Sequence, residues 1–434
     1  MAVLRPFRAL RYNPAVVGDL STVVAPPYDV ISAARRDALY DHSQYNAVRL
    51  ILNRAPDPYS AAAETLQAWR RDGVLQRDPQ PSLCYHVEDF VHPDGSAHQR
   101  EGVIGAVRLE GFASGRIRPH ERTFARHKED RMRILRAVRA NLSPIFGLFA
   151  DQVAALDPAR ALAAARQPDM VLEDDMGVRH RGWLISEPAR ISAISGALAH
   201  ETIFIADGHH RYETALAYAD QCRAQGATDA EAPHNFIMMY LASMSDPGLV
   251  ILPTHRVVAG AAGAQASAVV ARLRQYFRLT PFARGARHEF LACLRQHRDD
   301  GGIGVVVAGS SEWYVATLAD PTALDTHATH LAPVVRRLDV AILDTVILRG
   351  LMGIDCTAAA QEGWLTYTHD DDDAMRALEA GAHAVFLMNA PRIEDVQAVC
   401  MAGETMPEKS TYFYPKLPTG LVFRPLDDEP AAPP

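Results

Sequence analysis

The sequence predicts a mixed α/β protein built from more than one domain. Three observations carry that expectation. The chain has 434 residues, more than one hydrophobic core ordinarily serves. Short apolar runs with strand character alternate with Ala- and Leu-rich helical segments along its length. The stretch from Ile203 to Ala219 reads as strand, turn and helix in direct succession.

That stretch organises the rest. Ile203-Phe204-Ile205 is a short buried strand, and Ala206-Asp207-Gly208 breaks it. Gly208 permits a tight turn or the close approach of a ligand. The helix that follows opens at His209-His210-Arg211, so these amides lie at a helix N-terminus, where free N–H groups and the macrodipole favour an anion. His209, His210 and Arg211 add donors suited to phosphate. A surface turn or a metal site is the competing reading. Adjacent histidines point in different directions on a helix or a strand, which argues against a shared metal, and no metal ligands are assigned.

The other elements follow in chain order. Val23 to Ile31 reads as a strand ending in the Pro26-Pro27 corner, and Asn46 to Leu52 as another strand. Tyr59 to Arg71 is an amphipathic helix ended near Gly73. Strands at 83–87 and 102–109 flank Pro93-Asp94-Gly95, a hairpin signal. Pro119-His120-Glu121 opens a charged helix running to about Ala140, with Glu121 near its start, where the dipole favours a carboxylate. Ser143 to Phe149 is a strand. Two short strands, around 170–172 and 182–185, lead to the Asp207 corner. Asn235 to Met244 is an apolar strand, and Thr254-His255-Arg256 is either a second anion contact or a loop tie. Further on, a helix from Ala268 to Phe277, strands at 303–307 and 313–318, and a helix from Leu338 to Leu351 are expected. Asp370 to Asp373 reads as an N-cap and first turn rather than a metal cage.

Composition is that of a globular protein, 48% hydrophobic and 22% charged. A net charge of −8 makes nucleic acid an unfavourable partner. Five scattered cysteines with no Cys-x-x-Cys argue against a disulfide framework and fit a reducing compartment. No apolar run approaches a membrane span, and the expectation is a cytoplasmic protein of undetermined oligomeric state. Walker A and protein-kinase signatures are absent.

One late stretch, Gly403 to Lys416, sets three aromatics beside two lysines and two hydroxyls. Lys409, Ser410 and Thr411 together can hold a phosphate or a carboxylate by charge and hydrogen bonds.

Three blocks taken together resemble the ParB/sulfiredoxin superfamily, and within it the free serine kinases. Asp207-Gly208-His209-His210-Arg211 is identical to the kinases' block. Arg118-Pro119-His120-Glu121 resembles their Lys-Pro-His-Glu. Pro407-Glu408-Lys409-Ser410-Thr411 resembles their Ser-Pro-Lys-Thr-Thr. His209 stands where sulfiredoxins carry their reactive cysteine. Tyr412-Phe413 replaces the kinases' Arg-His, a departure that bears on the acceptor. The chain also resembles a bacterial family known as a domain of unknown function, through Ala25-Pro26-Pro27-Tyr28-Asp29, the Asp207 block, Leu252-Pro253-Thr254-His255-Arg256 and Met406 to Phe413.

The resemblance implies a ParB/sulfiredoxin-like phosphate- and nucleotide-binding core at 81–245, an N-terminal extension at 1–80 and a C-terminal α/β domain at 246–425 supplying the acceptor pocket, while the polar, Pro-rich end of the sequence reads as a disordered tail at 426–434. The resemblance implies phosphoryl transfer from ATP or ADP, with Mg²⁺, to the hydroxyl of free serine or a related hydroxy amino acid. Gly208, His209, His210 and Arg211 would hold the nucleotide phosphates. Glu121 would be the general base, with Asp207 and His210 also catalytic. Asp207, Lys409, Ser410 and Thr411 would bind the acceptor. Two other readings remain open: a ParB-like nucleotide switch or sensor, and a metal-dependent hydrolase using Asp207, His209 and His210.

Overall fold

The computed structural model describes residues 2–121, 125–150, 154–260 and 268–427. It divides into two units. The first comprises Met1–Pro119, Thr123–Val250 and Pro415–Pro434, and the second His120–Arg122 and Ile251–Tyr414. The N-terminal 80 residues therefore fall within the first unit, and the chain returns to that unit at Pro415. The expected tail at 426–434 lies almost wholly outside the described residues, which end at Asp427.

The first unit is built on a nine-stranded mixed sheet. Its strands are β1 (Leu4–Arg5), β2 (Leu83–Val91), β3 (Ala97–Arg108), β4 (Ile117–Pro119), β5 (Ile145–Phe149), β6 (Met170–Glu173), β7 (Arg179–Ile185), β8 (Ile203–Asp207) and β9 (Phe236–Ser243). Their order is β4-β8-β5-β9-β3-β2-β7-β6, with β1 on β3. The β8–β4 and β9–β5 pairs are parallel, while β8–β5 and β2–β3 are antiparallel. The β2–β3 hairpin turns as expected at Asp94-Gly95. Gly95 adopts φ +88, and Asp94 Oδ1 accepts from the Ser96 amide at 2.8 Å.

Leu83, Val103, Ile145, Ile205 and Leu241 bring five of these strands into one core. Together with helices α1 (Pro58–Arg71), α2 (Ala125–Val138) and α3 (His209–Ala224), the sheet makes the mixed α/β architecture that the alternating pattern predicts. A second cluster joins Leu10, Tyr12, Leu66, Trp69, Val138 and Phe423. Burial of Phe423 in that cluster is the physical reason the C-terminal segment belongs to the first unit.

The second unit holds a six-stranded antiparallel sheet. Its strands are β10 (His255–Val258), β11 (Phe277–Ala283), β12 (Ile303–Val307), β13 (Glu312–Leu318), β14 (Leu365–Thr368) and β15 (Ala384–Leu387), in the order β11-β13-β12-β15-β10-β14. Helices α4 (Arg287–Gln296) and α5 (Asp371–Glu379) pack on it through Phe290, Leu294 and Ala374. As expected, Asp370 caps α5, accepting from the Asp372 and Asp373 amides.

Three expectations are corrected. Asn46 to Leu52 is not a strand but contains a single helical turn, Val48–Ile51. The Asn46 side chain explains it: Oδ1 accepts from the Val48 amide at 3.0 Å, while Nδ2 donates to the Thr22 and Val24 carbonyls. Val23 to Ile31 forms no strand; Ala25 makes one isolated bridge to Thr419, and Tyr28–Val30 is a 3-10 turn. The helix expected from Ala268 to Phe277 is limited to Val269–Leu273, and Phe277 already begins β11. Among the described residues no helix is long and apolar enough to cross a membrane.

Candidate functional site

The corner at the end of β8 has the strand-turn-helix form its sequence implies. Gly208 is the N-cap of α3 and adopts φ +93, a left-handed conformation that glycine reaches without strain. A Cβ there would also stand 2.9 Å from Arg211 Nη2. The first helical hydrogen bond runs from the Tyr212 amide to the Gly208 carbonyl at 3.0 Å, and no side chain caps the helix. Backbone amides at the start of a helix are placed to meet an anion.

His209 and His210 diverge as adjacent residues must: His209 is buried and His210 is half-buried. With Asp207 they form no three-ligand metal group among the described residues.

Arg211 is tied into the protein. Its Nη1 donates to Ser143 Oγ at 2.8 Å and to the Pro144 carbonyl at 2.7 Å, and its Nη2 donates to Asp207 Oδ2 at 2.9 Å. The other Asp207 oxygen accepts from Lys416 Nζ. Burial pushes the Asp207 carboxyl up, but the Lys416 and Arg211 charges outweigh burial and hold it well below the usual carboxylate range. Asp207 is therefore a fixed anion, neutralised on both oxygens. Lys416 was not singled out as a site residue by sequence reasoning. Its signal was the lysine-bearing aromatic stretch that ends on it.

Beneath the corner lies a cavity of about 60 Å³ lined by Tyr28, Arg131, Ser143, Arg211, Thr214 and Thr419, among others. Ligand pockets are typically several hundred Å³, so a nucleotide does not fit inside it. Arg131 lies over the Tyr28 ring at 3.8 Å. Tyr28, from the Pro-Pro corner, is raised to about 12 by burial first and then by the Asp29 charge.

The second unit holds His120-Glu121 and the Pro407–Thr411 block. Glu121 forms a parallel bridge with Met406, whose amide donates to the His120 carbonyl at 2.8 Å. Glu121 Oε1 accepts from the Lys409 amide at 2.7 Å. Lys409 adopts φ +56, uncommon for a residue with a side chain, and this bond helps to hold it there. His120 is fully buried, with Nε2 2.7 Å from Thr411 Oγ1.

The start of the helix expected to open at Glu121 lies outside the described residues. The described part of α2 begins at Ala125, with no acidic residue in its first turn. The Lys409 amide is a described partner of Glu121. The expected helix residues Arg122 and Thr123 lie outside the described residues. Lys409 is exposed, and Ser410 is buried with its hydroxyl donating to the Pro407 carbonyl. Phe413 is buried edge-on to His120, and Tyr412 stacks on His369 with ring centroids 3.7 Å apart. These contacts account for the density of aromatics in the stretch. His255 and Arg256 are buried: His255 Nδ1 accepts from the Met388 amide at 3.0 Å, and Arg256 donates to the Thr254 carbonyl at 2.7 Å. The Thr254-His255-Arg256 block is thus a tie within its own unit.

Fold and corner together define a mixed α/β protein with an anion-suited helix N-terminus. Residues 4–341 match the model of the family described as protein of unknown function DUF1015, and the chain belongs to that family. The matched span contains three of the four marks cited for it, those at 25–29, 207–211 and 252–256; the stretch from Met406 to Phe413 lies beyond it. No curated protein matches the sequence. Solved structures similar to this chain include a conserved hypothetical protein from Pyrococcus furiosus, at 13% identity and a TM-score of 0.36, covering 73% of this chain and 93% of that one. A free serine kinase variant in complex with ADP is similar at 13% identity and a TM-score of 0.36, over 72% of this chain and 87% of the other. SbnI with a C-terminal truncation, from Staphylococcus aureus, is similar at 13% identity and a TM-score of 0.36, over 75% and 90%.

Proposed function

We propose that the protein is a small-molecule kinase that transfers a phosphoryl group from ATP or ADP to the hydroxyl of free L-serine or a related hydroxy amino acid. The observation that carries this reading is the Asp207–Arg211 block, identical to that of the free serine kinases and seated on a glycine-capped helix N-terminus. Phosphoryl transfer asks a protein chiefly for positioning and charge stabilisation. In this reading the amides of His209, His210 and Arg211 receive the donor phosphates, with His210 offsetting charge that develops in transfer. Asp207 keeps Lys416 and Arg211 in place beside them. Glu121 takes the acceptor's proton through Oε2, since Oε1 is engaged by the Lys409 amide. Lys409 and Thr411 bind the acceptor's carboxylate, and His120 orients the Thr411 hydroxyl.

Mg²⁺ would accompany the nucleotide. The corner's own carboxylate does not fit as its ligand, because Lys416 and Arg211 already occupy both Asp207 oxygens. No step is assigned to the ion.

The test is direct. Purified protein is incubated with Mg²⁺, L-serine, and ATP or ADP, and O-phosphoserine is sought by mass spectrometry. Product that forms in the parent and is lost in Glu121→Gln supports the kinase. Nucleotide binding by calorimetry with no product from any hydroxy amino acid replaces it with the switch reading.

A further inference from the structure

The geometry points to a second site, a transition-metal site of the zinc class formed by His86, Glu88 and His180 in the sheet of the first unit. The three residues are fully buried, and one ligand atom from each lies within 4.8 Å of the others. The strand period of two places His86 and Glu88 on one face of β2, and the β2–β7 register sets His180 directly opposite Glu88. The residues opposite His86 on its two neighbouring strands are both glycines, Gly102 and Gly182, so no side chain separates the two imidazoles on that row. The rings stack at 8°, with His86 Nε2 3.1 Å from His180 Nδ1. His180 Nδ1 is in turn 3.8 Å from Glu88 Oε1. Ligands at zinc distances around a tetrahedral ion are separated by roughly 3.3 Å.

Hydrogen bonding alone does not satisfy this cluster. His180 Nε2 faces Asp174 Oδ2 at 3.3 Å, which assigns its proton to Nε2 and leaves a lone pair on Nδ1. Glu88 Oε1 is buried and has no hydrogen-bond partner. Two acceptors therefore converge, and a proton on His86 Nε2 would serve His180 Nδ1 while leaving Glu88 Oε1 unpartnered. A cation at the convergence would engage all three groups. Asp174 behind His180 forms the carboxylate–histidine arrangement that orients metal-bound imidazoles. Arg100 holds the other Glu88 oxygen, Oε2, and its charge opposes any cation. The set therefore favours ions that bind imidazole strongly, zinc, cobalt or nickel, over magnesium or calcium. Such an ion would staple β2 to β7, away from the Asp207 corner in sequence and independent of the kinase reading.

The full chain is unfolded in the presence of EDTA, desalted, and refolded with Co²⁺ in slight excess; bound metal is measured by mass spectrometry after a second desalting, together with the visible cobalt spectrum. About one Co²⁺ per chain and a ligand-field spectrum are expected for the parent. His86→Gln is expected to retain less than a tenth of that. Asp174→Asn leaves all three ligands in place and is expected to weaken Co²⁺ about 10–100-fold. The proposal is overturned if the refolded parent keeps no more metal than His86→Gln. If His86→Gln does not fold, Asp174→Asn decides, and parent-like affinity in that variant overturns the proposal.

Discussion

Lys416 and Arg211 grip opposite oxygens of Asp207, so a lysine near the C-terminus and an arginine one helical turn away fix the same carboxylate. The clamp is within one unit and mostly shielded from water. Removing Lys416 leaves Oδ1 short of a partner in a partly buried place. Lys416→Met is therefore expected to lower unfolding stability by about 1–3 kcal/mol at neutral pH, the cost of orphaning such a group, as read by denaturant unfolding. The pH dependence has a definite sign. Asp207's folded pKa lies below its unfolded value, so its stabilising contribution is complete above about pH 4 and is lost as pH falls below that. The parent–variant difference should accordingly shrink under acid conditions. A difference that stays constant down to pH 2 would contradict the clamp.

Gly208→Ala adds a Cβ where φ is +93 and Arg211 Nη2 is 2.9 Å away. Arg211 cannot withdraw without giving up Ser143, Pro144 or Asp207. The variant is expected to lose roughly 1–3 kcal/mol of stability from backbone strain and to bind nucleotide more weakly. Unfolding curves and calorimetric titration with ADP measure the two effects separately.

Arg211→Ala should weaken nucleotide binding by about 1.5–3 kcal/mol if the guanidinium meets phosphate directly. Its four protein contacts make a stability loss the firmer expectation. Arg211→Lys separates the two effects: lysine keeps the charge but cannot reproduce the fork to Ser143, Pro144 and Asp207.

Glu121→Gln keeps an oxygen for the Lys409 amide but loses basicity. Folding and nucleotide affinity are expected to stay as in the parent, while kcat falls at least about a hundredfold. Lys409→Met should raise the acceptor KM far more than the nucleotide KM, as steady-state kinetics with each substrate varied would show.

Asp339 gives a pH effect of the opposite sign. Burial raises its carboxyl to about 6, against smaller lowering effects from the Val340 amide and the Arg256 charge. The folded protein holds this proton more tightly than the unfolded chain does. Its contribution to stability is present below about pH 4 and lost as pH rises through about 6. Asp339→Asn should melt a few degrees higher than the parent at pH 7.5 and show no such gain at pH 4, which thermal unfolding at the two pH values reports.

The sequence by itself determined the features whose causes are local. The Asp94-Gly95 hairpin, the Asp370 cap, the apolar strand of Phe236–Ser243 and the glycine-capped corner at Asp207 each depend on residues a few positions apart, and all were legible. Local pattern misled at Asn46 to Leu52, because a short apolar run buried on all sides fits a strand or a helical turn equally well. Bonds from Asn46 to the Val48 amide and to the Thr22 and Val24 carbonyls made the choice. Tertiary structure alone decided the partners of the charged groups. Lys416 reaches Asp207 across 209 positions, the Lys409 amide reaches Glu121 across 288, and His180 faces His86 across 94. Periodicity and capping act over one or two turns, whereas these contacts depend on strand register and on which segment returns to which sheet. That is why the pairing of Lys416 with Asp207, and the buried His86, Glu88 and His180 cluster, were not legible in the sequence, although every residue in them was in plain view.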